Sequence, residues 1–198
     1  MSQGGLRLVL ASTSPRRRRL LTEAGYEFQV CAPEVPELHT DDFTLREITC
    51  GNASRKGLAV ARRFPNSIVL AADTLVALDQ KLIGKPANRS AAVDLLWLLS
   101  GRTHQVATGV FLIHARQRKS VVFSVLSQVI FHELTASIIK NYLARINPLD
   151  KAGGYAAQGG GSEIIERIIG SRSNVIGLPL EETERALRNF GLRPAARA

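Results

Sequence analysis

The stretch Leu10–Leu21, which reads LASTSPRRRRLL, joins the end of an apolar strand to the beginning of a helix. The apolar run Leu6–Ala11 predicts a buried strand. Ser14 then fits a helix N-cap, and Pro15 fits the first helical position. Four arginines, Arg16–Arg19, follow in the first helical turn. This strand–turn–helix unit is the first of the alternating strands and helices of the chain.

Strands and helices alternate along the remaining sequence. Further strands are predicted at Phe28–Cys31, Ser67–Ala72 with a continuation at Leu75–Leu78, Thr103–His114 and Ser120–Phe131. Further helices are predicted at Leu45–Arg63, Ser90–Leu99, Thr135–Arg145 and Leu180–Phe190. The stretch Ile164–Ile169 fits a strand or a helix equally well. This order predicts an α/β fold with a mixed sheet. The chain contains no internal repeat and no low-complexity linker, so residues 1–198 are interpreted as one domain. Residues 191–198 are interpreted as a flexible basic tail.

The formal net charge of +9 over 198 residues favours a polyanionic partner: a nucleic acid, an anionic membrane surface or a phosphorylated small molecule. The two cysteines, Cys31 and Cys50, show no zinc-ligand spacing and are interpreted as free thiols of a reducing compartment. The longest apolar run is far shorter than the roughly 20 residues of a membrane span, and no signal-peptide pattern precedes the first strand. We therefore expect a soluble, cytoplasmic protein.

The opening stretch has the features of an anion-binding site. The first N–H groups of a helix lack intrahelical partners, and the helix dipole adds partial positive charge there. Ser12, Thr13 and Ser14 add hydroxyl donors, and Arg16 and Arg17 would lie close to the anion. The alternative is a basic helix face that is merely solvated. No Walker A loop is present.

Candidate carboxylates and further cations occur at separate places in the chain. Asp73 follows a strongly apolar strand and is interpreted as a partly desolvated group at a sheet end, or as a simple turn aspartate. Glu34 and Glu37 lie in a loop, and carboxylates from separate loops commonly hold Mg²⁺ beside phosphates. Lys56 and Lys85 are the further cations, each of which by itself is most often solvated.

The segment Asp150–Glu163, DKAGGYAAQGGGSE, contains more glycine than a plain connector needs. Glycines let a backbone approach a ligand closely. Tyr155 and Gln158 could contact the ring face and the edge of a base, whereas the alternative is a flexible hairpin. Asn174–Leu180 is interpreted as a structural turn. No role is assigned to His104, His114 or His132.

Together these stretches resemble the Maf family of nucleoside triphosphate pyrophosphatases over nearly the whole chain. The matching pieces, in order, are the S-x-S-P-R-R of Ser12–Arg17, Glu37, the RKG that contains Lys56, AADTLV at Ala71–Val76, GKP at Gly84–Pro86, LSGRTHQVATGV at Leu99–Val110, DKAGGYAAQG at Asp150–Gly159 and GSRSNVIGLPL at Gly170–Leu180. Any one piece is a weak signal, but eight pieces in the same order are a strong one.

The resemblance implies an elongated mixed sheet with flanking helices, two lobes around a cleft, and often a homodimer, as in other Maf and ITPase-like proteins. It implies hydrolysis of a nucleotide to the monophosphate and pyrophosphate with a divalent cation, Mg²⁺ or Mn²⁺. It further implies a house-cleaning role and a link to septum formation and division arrest.

The resemblance also assigns roles to individual positions. Asp73 matches the catalytic carboxylate, which would either take the proton of the attacking water or mainly hold the metal, with Glu37 as a further metal ligand. Positions tied to substrate choice are matched by Arg16, Thr74 and Gln158. Polar groups of the cleft are matched by Arg17, Glu37, Lys56 and Lys85. Ser12 and Ser14, in the turn after the first strand, match residues that contact the substrate.

The chain departs from the family pattern at several positions. The loop Gly154–Gln158 reads GYAAQ where the dTTP/UTP enzymes usually read alanine, tyrosine, glycine, isoleucine, glutamine. Ser127, Asn88 and Pro36 replace a threonine and two acidic residues that are common there. Because Tyr155 and Gln158 are retained, the chain is more similar to the dTTP/UTP branch than to the 7-methyl-GTP branch.

Two other functions fit parts of the sequence. A nucleic-acid-binding regulator of division would suit the net charge, but aromatic residues make up only 6% of the chain and are not interleaved with the arginines, as base-stacking surfaces require. A non-catalytic nucleotide sensor would not need Asp73, Glu37 and both lysines. A nucleotide is therefore expected as the main partner, with neither a membrane nor a nucleic acid in that role.

Overall fold

The computed structural model describes residues 7–40 and 42–195. Its strands are β1 (Leu8–Ala11), β2 (Phe28–Val30), β3 (Ile68–Leu78), β4 (Lys81–Ile83), β5 (Thr103–His114), β6 (Lys119–Phe131) and β7 (Ile165–Ile169). Its helices are α1 (Pro15–Glu23), α2 (Leu45–Ala61), α3 (Arg89–Leu99), α4 (Ala136–Arg145), α5 (Arg172–Ile176) and α6 (Leu180–Asn189). No helix of the described part of the chain is long and apolar enough to cross a membrane.

The strands form one sheet in the order β2-β1-β3-β5-β6-β7, with β4 paired to β3. β1 is parallel to both β2 and β3, whereas the other pairs are antiparallel. The predicted α/β fold with a mixed sheet and flanking helices is therefore confirmed.

One edge of β3 carries two different partners and leaves an opening between them. β1 pairs with Ile68–Ala71, and β4 pairs with Val76–Leu78. Between these ladders, residues 72–75 pair with β5 on the opposite edge and with no other strand of the described residues. We call this opening the edge gap. Because successive strand residues point to opposite faces, neighbouring side chains of the gap can approach one ligand from both faces of the sheet.

The apolar core on one face of the sheet is divided into two lobes. The first lobe packs around Leu70 and Ala72 of β3, beneath α1 and α6. The second lobe packs around Val76 and Leu78, beneath α3 and α4. The Thr74 side chain points to the same face of the sheet as Ala72 and Val76, and it lies between the two lobes. The sheet is elongated along its strands, because β5 and β6 extend through both lobes.

Helix α2 covers the opposite face of the sheet at very short range. A Cβ atom on Gly57 would lie 2.4 Å from the Phe111 ring, and one on Gly109 would lie 2.3 Å from the Thr49 backbone. Only glycine fits at such approaches. The helix therefore brings its polar side chains close to the odd-numbered residues of β3, among them Asp73.

Several predicted boundaries are revised. β3 runs through Asp73 without a break, so that residue lies within a strand and not in a turn. The ambiguous stretch at 164–169 contains a strand, β7, and a short strand, β4, lies at residues 81–83, where no element was predicted. The predicted turn at Asn174–Leu180 includes the end of helix α5.

The chain ends are described only in part. Leu6, at the start of the first predicted strand, and Arg197, in the predicted tail, lie outside the described residues. Within the predicted tail, the Ala195 N–H donates a hydrogen bond to the Gly25 carbonyl at 2.9 Å. This part of the tail is therefore attached to the end of the first helix.

Candidate active site

A cleft of about 360 Å³ opens at the edge gap and extends between the lobes. Its walls come from the turn before α1, the loop before α2, the middle of β3, the turn after β4 and the glycine-rich segment. All ten residues proposed from the sequence line it: Ser12, Ser14, Arg16, Arg17, Glu37, Lys56, Asp73, Thr74, Lys85 and Gln158. The predicted site residues are therefore brought together in one place.

Asp73 lies at the bottom of the cleft on the α2 side and is only 4% exposed. The Lys56 ammonium donates to its Oδ1 at 2.7 Å, and the Asn52 amide donates to its Oδ2 at 2.9 Å. Asn52 is itself fixed by the Leu38 N–H and carbonyl, at 2.7 and 3.1 Å. Both oxygens of Asp73 are thus held in one orientation.

Glu37 shares the same ammonium. Its Oε1 lies 2.5 Å from Lys56 Nζ. Partial burial raises the pKa of Glu37, but the hydrogen bond and charge of Lys56, together with the charges of Lys85 and His39, outweigh this and leave the pKa below its ordinary value. We call Glu37, Asn52, Lys56 and Asp73 the charged cluster. In it, two carboxylates from separate elements meet around one cation.

The donor set of the charged cluster suits a hard divalent cation. Two carboxylates that converge on one positive centre, beside space for a phosphate, are a typical Mg²⁺ arrangement. Within residues 7–40 and 42–195, no group of three or more His, Cys, Asp or Glu side chains could form a complete metal cage. Glu37 and Asp73 would therefore leave the other ligand positions to water and to substrate oxygens, as Mg²⁺ usually requires.

The Arg17 side chain, from α1, lies against the face of β3 opposite to that of Asp73. Its Nε donates to the Gly177 carbonyl at 2.8 Å, and its two terminal nitrogens donate to Ser12 Oγ at 3.2 Å and Thr74 Oγ1 at 3.0 Å. Burial lowers the pKa of Arg17, an effect that the charge of Asp73 opposes. Three hydrogen bonds thus fix this guanidinium against the cleft wall.

A chain of uncharged groups continues inward from Thr74. Its Oγ1 lies 2.9 Å from Thr108 Oγ1, which donates to the Asn174 carbonyl at 3.0 Å. The Asn174 amide donates to Ser127 Oγ at 2.9 Å, and that hydroxyl donates to the Ser171 carbonyl at 3.0 Å. We call Thr74, Thr108, Ser127 and Asn174 the hydroxyl network. It ties α5, and with it the Gly177 carbonyl that holds Arg17, to strands β5 and β6.

The turn before α1 is preorganised by its own side chains. Ser12 Oγ accepts from the Ser14 N–H at 3.2 Å, and Ser14 Oγ caps the helix by accepting from the Arg17 N–H. The four arginines divide into two pairs. Arg16 and Arg17 line the cleft, whereas Arg18 and Arg19 are exposed, and Arg19 pairs with Glu23.

Arg16 is held by a wall that carries two charged residues missed by the sequence analysis. Its guanidinium donates to Asp150 Oδ2 at 2.9 Å and to the Asp150 carbonyl at 3.2 Å. Lys151 Nζ lies 2.5 Å from the other carboxylate oxygen. Burial raises the pKa of Asp150, but the hydrogen bonds from Lys151 and Arg16 outweigh it and lower the pKa overall. Asp150 therefore holds two cations in the cleft.

Lys85 and Gln158 complete the cleft from the second-lobe side. The turn that carries Lys85 is tied to the glycine-rich segment by a hydrogen bond from the Gly153 N–H to the Gly84 carbonyl, at 3.0 Å. Lys85 is exposed, and no described carboxylate lies within ion-pairing distance of it. Gln158 is half-buried beside Ala157, which belongs to the first lobe.

Tyr155 has a different role from the one interpreted from sequence. Its ring packs edge-on against His104 and Phe131 in the second lobe, and its hydroxyl lies 2.7 Å from His104 Nε2. Burial lowers the pKa of His104 to about 4, so the imidazole is neutral near pH 7. Tyr155 thus anchors the glycine-rich segment in the core, and its hydroxyl is not free to bind a ligand.

Known proteins resemble this chain over almost its full length. Residues 7–190 match the family of Maf-like proteins. The dTTP/UTP pyrophosphatase of Exiguobacterium sibiricum is 43% identical over 187 residues, which cover 94% of this chain and 94% of that protein. A dTTP/UTP pyrophosphatase of Bacillus anthracis is 41% identical over 94% of this chain and 96% of that protein. The solved Ham1 protein of Staphylococcus aureus has a similar fold, with a TM-score of 0.52 at 15% identity over 93% of this chain and 99% of that one.

Proposed function

The chain belongs to the family of Maf-like proteins, and we propose that it is a nucleoside triphosphate pyrophosphatase. One observation carries the proposal: the carboxylates of Asp73 and Glu37 meet at Lys56 in the same cleft as Arg16, Arg17 and Lys85. That arrangement combines a fixed carboxylate with the positive charge that a triphosphate requires. Relatives more than 40% identical over 94% of the chain are dTTP/UTP pyrophosphatases, which agrees with it.

The proposed reaction is attack of water on the α-phosphorus. A bond forms between the water oxygen and the α-phosphorus, and the bond to the bridging oxygen of the β-phosphate breaks. The products are the nucleoside monophosphate and pyrophosphate. Asp73 is the proposed acceptor of the water proton, since Lys56 and Asn52 hold both of its oxygens in a fixed orientation within the cleft. General-base assistance of this kind contributes typically 10²- to 10⁴-fold, an order-of-magnitude range.

The cations of the cleft neutralise the triphosphate as negative charge moves to the leaving group. Arg17 is held by three hydrogen bonds and Arg16 by Asp150, so little reorganisation is needed when substrate binds. Preorganised charge of this kind is worth about 3–4 kcal/mol of barrier per group. Glu37 and Asp73 are proposed to hold Mg²⁺ or Mn²⁺, which would supply further charge neutralisation at the phosphates.

Gln158 is the proposed contact to the nucleobase, because an amide offers both a donor and an acceptor to a base edge. It lines the cleft where the glycine-rich segment passes from the second lobe to the first. We propose a pyrimidine nucleotide, dTTP, UTP or a modified form, as the preferred substrate. A 7-methyl-GTP-type specificity is the alternative.

A panel of canonical and modified nucleoside triphosphates, each with Mg²⁺ or Mn²⁺, tests the proposal. We expect release of pyrophosphate and the monophosphate, with dTTP and UTP among the best substrates. Release of orthophosphate would contradict attack at the α-phosphorus. Preference for 7-methyl-GTP would assign the chain to the alternative branch, and binding of nucleotides without hydrolysis would indicate a sensor.

The remaining parts of the proposal concern the cellular compartment, the cellular role and the oligomeric state of the protein. We propose a cytoplasmic enzyme with a house-cleaning role, and both cysteines, Cys31 and Cys50, are free thiols as a reducing compartment requires. The homodimer and the link to division arrest stay predictions. Sedimentation velocity tests the first, and division timing in a deletion strain tests the second.

A further inference from the structure

Six exposed cations gather at the end of the first lobe that lies away from the cleft. They come from three separate segments of the chain: Arg7, Arg62, Arg63, Arg116, Arg118 and Lys119. We call this surface the basic pole. The strands separate it from the cleft, because Ile68 at the pole and Asp73 in the cleft are five residues apart in β3. At about 3.3 Å per residue, this is roughly 17 Å.

Backbone hydrogen bonds hold the three segments side by side. The Arg116 N–H donates to the Pro65 carbonyl at 2.9 Å, which joins the β5–β6 turn to the segment after α2. The Ile68 N–H donates to the Arg7 carbonyl, also at 2.9 Å, which joins the start of β1 to the same segment. The basic pole is therefore a built feature of the fold and not a set of side chains scattered over a loop.

The three segments that carry the pole contain no carboxylate. Residues 7–22, 61–72 and 114–131 contain no aspartate or glutamate. Among the described residues, none of the six cations forms an ion pair with a carboxylate. This contrasts with Arg19, Arg102, Arg145 and Arg185, which are exposed but paired.

One end of the pole is further constrained by α6. Lys119 donates to the Asn189 carbonyl and lies over the Phe190 ring, 4.7 Å from its centroid. Arg118 occupies the left-handed region with φ of 51°, as a tight turn between the strands requires. The cations of the turn are therefore presented at a fixed point of the surface.

We propose that the basic pole binds the phosphodiester backbone of double-stranded nucleic acid without regard to sequence. Five of its six cations are arginines, whose planar guanidinium groups match phosphate oxygens in pairs. None of the exposed aromatic residues lies at the pole, so it offers no platform for stacking single-stranded bases. The pole is separate from the cleft, and this binding would be in addition to the proposed hydrolysis of nucleotides.

An anionic membrane fits the pole less well. Interfacial binding combines basic charge with inserted aromatic or leucine side chains. The exposed apolar residues beside the pole are Val121 and Val122 of β6 and Leu58 of α2, which are 36%, 48% and 47% exposed. They lie on two separate elements and include no aromatic ring, so phosphate recognition accounts for the six cations better than insertion into a bilayer does.

The test measures binding of a short labelled DNA duplex of arbitrary sequence by fluorescence anisotropy, as salt is raised from about 50 to 200 mM. The variant R62Q/R63Q/R116Q/R118Q removes four charges from the pole. The matched control R19Q/R102Q/R145Q/R185Q removes the same number from exposed, ion-paired positions. We expect the pole variant to bind at least tenfold more weakly, with a salt slope reduced by up to about 3.6, since each of four lost phosphate contacts contributes about 0.9.

The control variant should bind within about twofold of the wild type, because its arginines are already neutralised by partners. Three results would overturn the proposal: absence of duplex binding by the wild type at low salt, an equal loss in the control, or binding to anionic vesicles in place of the duplex. Nucleoside triphosphate hydrolysis is measured in parallel. Both variants should keep it, so a failure of this proposal is distinguishable from a failure of the proposed enzymatic function.

Discussion

Asp73 and Thr74 are adjacent in β3, yet they belong to two regions with different physical character. Asp73 faces α2 and is part of the charged cluster, in which every ionised group has an opposite charge within 2.7 Å. Thr74 faces the space between the lobes and is part of the hydroxyl network, which is uncharged and almost entirely buried. The first region carries the proposed chemistry, and the second fixes the geometry of one arginine. Substitutions in the two regions should therefore change activity and stability in different ways.

The largest effect is expected for Asp73→Asn. The amide keeps the shape and one acceptor, but it can neither take a proton nor attract a metal. We expect kcat to fall by at least about 10³-fold, or about 4 kcal/mol of barrier. The free energy of unfolding should change less, because Lys56 keeps Glu37 as an ion-pair partner. Pyrophosphate release and urea unfolding measure the two quantities.

The matched control is Asp79→Asn, which makes the same change at a 72% exposed carboxylate just beyond β3. Asp79 has a φ of 50°, a conformation that asparagine also tolerates. Its turnover should stay near the wild-type value. Near-wild-type turnover of Asp73→Asn itself would remove the proposed role of that residue.

The next effect is expected in stability, for Lys56→Met. Methionine fills similar space, but Asp73 and Glu37 lose the ammonium between them and are left as two neighbouring carboxylates. Removal of one partner from a buried ion pair typically costs 3–5 kcal/mol. We expect about 3 kcal/mol in urea unfolding at pH 7, because the Glu37 side chain is 35% exposed and can be rehydrated.

This loss should shrink as the pH is lowered. Without the ammonium, Glu37 loses the hydrogen bond and the charge that lower its pKa in the wild type and keeps the repulsion of Asp73, so protonation of Glu37 favours the folded variant. Lys85→Met serves as the control, since Lys85 is an exposed cation of the same cleft. Equal stability of the two variants would show that the charged cluster contributes nothing specific.

A smaller effect is expected on the other side of β3, for Thr74→Val. The change leaves one nitrogen of Arg17 without its partner and removes one of the two hydrogen bonds of the Thr108 hydroxyl, which keeps the Asn174 carbonyl. We expect a cost of about 1–2 kcal/mol of stability. Because Arg17 keeps two of its three hydrogen bonds, we expect the KM for the triphosphate to rise about fivefold, or ~1 kcal/mol, with kcat little changed. Thr74→Ser restores the hydroxyl and should recover both values. If serine and valine behaved alike, the hydroxyl network would have no part in positioning Arg17.

The smallest effect is a difference in pH dependence. The pKa of folded Glu37 lies below its ordinary value of 4.5. Its contribution to stability is therefore fully present above the unfolded pKa and is lost as the pH falls through the lower, folded pKa. Between about pH 5 and pH 3, the wild type should lose more stability than Glu37→Gln in urea unfolding. Parallel curves would contradict the pairing of Glu37 with Lys56.

The long antiparallel strands could be predicted closely from the sequence. β5 has the predicted bounds, and β6 begins one residue earlier than predicted. Sustained runs of apolar and β-branched residues are the reason. The predicted interruption at Asp73 is wrong because the sequence does not reveal that Lys56 neutralises the carboxylate there. Helix α5 could not be predicted, since five residues carry too little periodicity.

The candidate site shows the same division. Nine of the ten predicted residues lie in the matched motifs, Glu37 was matched by itself, and all ten line the cleft. Asn52, Asp150 and Lys151 were missed, although the last two lie within a quoted motif. Asn174 acts through partners 47 and 68 positions away in the chain. A buried amide or hydroxyl has no spacing that marks it, so only the folded structure identifies such groups.

The edge gap in β3 affects how the sequence of such a protein can evolve. Two adjacent codons specify side chains that pack against different parts of the molecule, α2 on one face and α5 on the other. A substitution at position 74 can be accommodated by α5 and the first lobe without disturbing the surroundings of Asp73. The position of Arg17 and the proposed hydrolysis at Asp73, although they depend on codons three nucleotides apart, could therefore be selected almost independently.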